Sequence, residues 1–167
     1  MRIALCILIC LTTGRAARAQ HFDIVTVHDS LSLLTLSSAE QTDTLELPYQ
    51  VYRFCTADLN GDGKEEALVG VVKPTRFFAQ ADRRLFILKN YDGHIRTLWR
   101  GSRIGRRLID FRAKGMKIRC LMQMSGERYA VGDFSLARFG LRFEKFIIED
   151  ASEEEGRRAF EEQDEDF

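Results

Sequence analysis

Residues Asp58-Leu59-Asn60-Gly61-Asp62-Gly63-Lys64-Glu65-Glu66 carry the densest chemistry in the chain. Asp58, Asn60 and Asp62 place an oxygen side chain at every second position. Gly61 and Gly63 permit the backbone to curl tightly. The carbonyl of Lys64 can point inward, and Glu66 can close the ring. Oxygen ligands on one short, flexible loop suit a hard divalent cation, Ca²⁺ first among them. Cys55 is the one soft donor nearby, so zinc and copper match poorly. The sequence therefore predicts a structural Ca²⁺ held by Asp58, Asn60, Asp62, Lys64 and Glu66. A metal-free turn rich in Asp, Asn and Gly is the plainer alternative, since those residues dominate turns.

The flanking residues decide which kind of loop this is. Tyr49 to Cys55 and Ala67 to Val72 are apolar and β-branched, so the loop joins two strands. A helix–loop–helix calcium site needs a glutamate at the twelfth loop position. Counted from Asp58, that position is Val69. The stretch from Ala57 to Gly70 resembles the FG-GAP/VCBS-type repeat of integrin-α-like β-propellers. The resemblance implies calcium ligation at the five positions named above and a blade-like antiparallel sheet. It also suggests a bacterial periplasmic or secreted protein. A single copy is visible, which predicts a blade without a closed propeller.

The elements that must hold this loop read as an all-β meander of seven or eight antiparallel strands. Asp92-Gly93 is a two-residue hairpin signal. It joins Arg84–Lys89 to His94–Arg100, whose alternation places Ile95, Thr97 and Trp99 on one face. Strands follow at Leu108–Arg112, across the alternating Met116–Met124, at Arg128–Leu136 and at Leu141–Ile148. Phe22–Val27 reads as a strand, and Leu31–Leu36 as a strand or short helix. The β-domain spans residues 20–150. Residues 151–167 are acidic with little apolar content, which predicts a disordered tail, with a helix over Glu153–Gln163 as the alternative.

Met1-Arg2, an apolar run from Ile3 to Leu11 and Ala17-Arg18-Ala19 have the layout of a secretory signal peptide over residues 1–19. The run is too short to span a bilayer. Export is expected, to a periplasm or the medium, with no transmembrane segment after cleavage. It would permit a disulfide between Cys55 and Cys120; two buried free thiols are the equal alternative.

The formal net charge is zero, but an acidic first third and an acidic end flank a basic middle. Arg100, Arg103, Arg106 and Arg107 form a candidate anion-binding segment. No catalytic motif stands out, and no catalytic residues are assigned. The reading is a calcium-stabilised binding or scaffolding module of the cell envelope. Its partner would be a protein, glycan or polyanion, with no nucleic acid expected. The alternatives are a carbohydrate-active or other hydrolase module using His28 and the basic segment, and a polyanion binder using residues 96–107.

Overall fold

The computed structural model describes residues 20–76, 78–101, 104–162 and 167. The expected signal segment and Arg103 lie outside them. Three antiparallel meanders follow one another along the chain. β1 (His21–His28), β2 (Leu31–Ser37) and β3 (Thr42–Leu47) make the first sheet. β4 (Gln50–Ala57), β5 (Glu66–Thr75), β6 (Phe78–Tyr91) and β7 (His94–Arg100) make the second. β8 (Arg107–Lys114), β9 (Lys117–Gln123), β10 (Tyr129–Ala137) and β11 (Gly140–Ala151) make the third, followed by α1 (Glu153–Glu161).

The all-β antiparallel meander is as expected, but the described residues form eleven strands in place of seven or eight. The difference lies mainly in residues 20–48. Their leucines are frequent enough to blur period two, yet Ser32, Leu34 and Leu36 point inward while Leu31, Leu33 and Thr35 are only half-buried.

The sheets stack, and the second is covered on both faces. Leu68, Leu85 and Ile87 pack with Phe111, Ile118, Cys120 and Met122 of the third sheet. Ala67, Val69, Val71, Phe86 and Leu88 pack with Phe22, Leu34, Leu36 and Leu47 of the first. Both faces of β5 are thus apolar, which explains its continuous run. Each aliphatic side chain buried this way contributes roughly 1.5–3 kcal/mol. Polar seams align the layers. Arg53 forms a bidentate pair with Asp110 across the second and third sheets. Asp43 accepts from the Ile95 amide at 2.7 Å across the first and second.

Two expectations are corrected here. The first concerns Trp99 and Ile95, which occupy opposite faces. Ile87 pairs with Trp99 and Leu88 with Thr97, leaving Leu98 as a bulged extra residue. The bulge reverses the alternation, so Ile95 joins the core against the first sheet and Trp99 the core against the third. The second concerns residues 151–167, where α1 forms in place of the expected disordered tail. Ser152 caps the helix, and its box with Glu155 satisfies amides at the N-terminus. Phe160 packs with Leu121, Tyr129 and Val131 on the outer face of the third sheet.

Beneath α1, Arg119 and Asp133 are buried at 0% and 1% exposure and pair at 2.8 and 3.0 Å. Arg112 and Arg119 both donate to carbonyls at the end of the helix, where its dipole is negative. The Phe167 ring lies 4.4 Å from the Arg112 guanidinium and 4.5 Å from that of Arg119. No helix among the described residues is long and apolar enough to cross a membrane.

Candidate metal centre

The 58–65 loop leaves β4 beside the core and returns into β5. Leu59 is buried and anchors the loop between the second and third sheets. Gly61 and Gly63 have φ of 76° and 80°, the left-handed values that the tight curl requires. A Cβ at Gly61 would sit 3.3 Å from the Met116 sulfur, so the loop also leans on the β8–β9 turn.

The acidic side chains hold the curl from within. Asp58 Oδ1 accepts from the Gly61 and Asp62 amides at 2.7 and 3.1 Å, and Oδ2 from the Gly63 amide at 2.9 Å. Asn60 Oδ1 accepts from the Asp62 amide at 2.8 Å. Asp62 Oδ1 accepts from the Lys64 amide at 2.9 Å. Glu66, the first residue of β5, is 2% exposed. Its Oε2 accepts from the Leu59 amide at 2.9 Å.

One atom joins the remaining oxygens. Asn60 Nδ2 donates to Glu66 Oε1 at 2.8 Å and to Asp62 Oδ2 at 3.2 Å. A side-chain amide therefore supplies partial positive charge between two carboxylates. Glu66 still carries an electrostatic load. Burial pushes its pKa up, the Leu59 amide opposes this, and the charges of Asp62 and Asp58 raise it further.

Asp58, Asn60, Asp62 and Glu66 are thus brought together on one loop, with Lys64 at its rim. The donor set is all oxygen apart from the Asn60 NH₂, and it carries the charge a divalent ion prefers. Among the described residues, however, no three His, Cys, Asp or Glu side chains stand poised around one point. The reason is visible in the geometry: backbone amides hold Asp58, and the Asn60 amide fills the space between Asp62 and Glu66. A half-turn of that amide would present Oδ1 in place of Nδ2, an arrangement of facing oxygens that only a cation between them would favour.

The other candidate residues are dispersed. Arg107 pairs with Asp82 at 3.2 Å and donates to Gln123 at 3.1 Å. Arg100 lines a cavity with Tyr49, Phe86 and Thr97, whereas Arg106 lines a different, apolar one. Cys55 and Cys120 are free thiols on the same core cluster. Burial raises both pKa values, that of Cys55 to about 11. His28 lies 3.3 Å from the Ser30 hydroxyl on an exposed turn.

Sequence reasoning missed the Asn60 bridge, because the direction of an amide is not written in spacing. It also missed the aromatic cleft around Arg106, which two strand bulges create. No family model matches this chain, and no curated protein or solved structure matches it either.

Proposed function

We propose that residues 58–66 hold a structural Ca²⁺, and that the chain is an exported β-module with a binding or scaffolding role at a cell envelope. The observation that carries the first half is the buried Glu66, which meets Asp62 on a single amide nitrogen while Asp58 closes the same loop. A bound Ca²⁺ would supply the charge that three neighbouring carboxylates lack. Asp58, Asn60, Asp62 and Glu66 would give side-chain oxygens and Lys64 its carbonyl. Glu66 would shed any proton it holds and stay ionised inside the fold.

The role follows from position. The loop ties the edge strand β4 to the central strand β5 and leans on the third sheet, so fixing it stiffens the seam between two layers. The FG-GAP/VCBS-like phrase supports the same reading, and the three-part layout of residues 1–19 supports export. Thermal melts in calcium and in chelator test the metal. Saturating calcium at about a hundred times Kd would stabilise the wild type by roughly 2.7 kcal/mol. Asp58→Ala and Asp62→Ala are each expected to remove most of that shift; calcium shifts equal to wild type would refute the site. Mass spectrometry of exported protein tests cleavage, with Gln20 expected at the new N-terminus.

A further inference from the structure

Two strand irregularities send aromatic side chains into one cleft. In β7 the bulge at Leu98 turns Trp99 toward the third sheet. In β11 the register slips between Asp133 and Phe134: Phe134 pairs with Phe143, but Asp133 pairs with Lys145. Glu144 is the extra residue. Phe143 and Phe146 are three apart and would face opposite ways in a regular strand. The bulge puts them on one face, opposite Phe134 and Gly132 respectively. Gly132 makes room for them, since a Cβ there would lie 3.2 Å from the Phe143 ring and 3.3 Å from Met122.

The result is a cavity of about 350 Å³ between the edge of the second sheet and the third. That is within the range of small-molecule pockets, roughly 300–1,000 Å³. Trp99, Met122, Phe134, Phe143 and Phe146 supply most of its apolar lining. Phe143 and Phe146 remain 45% and 40% exposed, although both have been steered to the same place. The three phenylalanine rings meet edge-to-face or tilted, at 70° and 55°, so none forms a parallel wall for a flat ring. Met122 adds a flexible floor. Among the described residues, Arg106 is the one charged residue of the lining; it is exposed and has no ion pair with any of them.

We propose that this cleft binds a single medium-length acyl chain with an anionic head, the chain lying along the aromatic rings and the head at Arg106. The volume is room for about a dozen water-sized groups at ~30 Å³ each, which sets the chain at roughly ten carbons. This names a ligand class for the binding role, at a site distinct from the calcium loop and independent of it.

Trp99 is the single tryptophan of the chain and lines the cleft, so it reports occupancy directly. Decanoate, kept below its micellar range, is titrated into the full chain in chelator and in calcium, with 1-decanol as the uncharged control. Calorimetry gives the stoichiometry. Decanoate is expected to change Trp99 emission saturably at one per chain in both buffers, and to bind about fivefold tighter than decanol, the effect of one exposed charge. Arg106→Gln is expected to erase that difference and leave decanol binding unchanged. Phe146→Ala is expected to weaken both ligands. No saturable response, equal affinities for the two ligands in the wild type, or an unaltered response in Phe146→Ala would each overturn the proposal. So would a wild-type dimer that Phe146→Ala dissociates and decanoate fails to bind, since the cleft would then be a self-association face. Loss of the calcium melt shift with decanoate binding retained would strike the metal reading alone.

Discussion

The loop at residues 58–66 and the helix α1 are both crowded with carboxylates, which the fold points in opposite directions. In the loop, Asp58, Asp62 and Glu66 turn toward the chain's own amides, and Glu66 is buried. In α1, Glu153, Glu154 and Glu155 occupy the first turn, face solvent, and favour the positive end of the helix dipole. What α1 buries is Gly156 and Phe160, and what waits beneath its end is a pair of arginines. Acidic composition thus sets neither order nor disorder. Order depends on what answers the charge: backbone amides in the loop, and in α1 the Ser152 amide for Glu155 with Arg157 and Arg158 for Glu153 and Glu154.

The largest effect is expected on the helix side. Removing residues 152–167 would uncover Leu121, Tyr129 and Val131 and strip the cover from the Arg119–Asp133 pair. The shortened chain is expected to lose the cooperative thermal transition of the full chain; an unchanged melt would show that the third sheet needs no cap. Asp133→Ala isolates the ionic part. It removes the carboxylate from a guanidinium at 0% exposure, and breaking such a pair costs about 3–5 kcal/mol. An unfolding free energy from urea titration within about 0.5 kcal/mol of wild type, the scatter of surface changes, would place the helix's hold in Phe160 alone.

Glu66→Gln sharpens the loop side through pH. The folded pKa of Glu66 lies above its ordinary value, mainly because the group is buried. The unfolded state therefore releases the proton first. In chelator, the contribution of Glu66 to stability is fully present at low pH and is lost as pH rises from the ordinary carboxylate range through the raised folded value. Glutamine cannot ionise, so the variant is expected to be more stable than wild type at neutral pH in chelator and to lack that slope. In saturating calcium the order is expected to reverse, since Glu66 would then be a ligand. Melts at several pH values in both buffers check the crossing. A variant less stable than wild type in both buffers would mean that Glu66 is satisfied without a cation.

These two regions also show where the sequence is readable. The loop was legible because its logic is local: Asp58, Asn60, Asp62 and Glu66 sit within one curl, and the strands on either side announce themselves. The direction of the Asn60 amide was not, because it depends on which groups converge in space. Period two places Trp99 on the face of Ile95, because an uninterrupted strand alternates. The bulge at Leu98 that separates them is set by pairing with β6, which leaves no mark on β7 itself. Arg100, Arg106 and Arg107 are close in sequence, yet the turn from β7 to β8 gives each a different neighbour. Residues 151–167 carried one usable sign, Ser152 followed by Glu155, while the surface that Phe160 needs is furnished by β9 and β10.

That sign yields the smallest effect in the comparison. Ser152 Oγ accepts from the Glu155 amide at 3.3 Å, and Glu155 Oε2 accepts in return from the Ser152 amide at 2.9 Å. The Ser152 hydroxyl and amide hold the Glu155 pKa below its ordinary value. This contribution is present above the ordinary carboxylate range and is lost as pH falls through the lowered folded value. Ser152→Ala removes the cap, for which about 1 kcal/mol is typical. The expected result is a modest drop in melting temperature at neutral pH, narrowing in acid as Glu155 protonates in both proteins. Calcium is expected to shift the variant as much as wild type, because the cap and the loop belong to different layers. A calcium shift that shrinks with Ser152→Ala would couple the two acidic regions, and the division between them would fail.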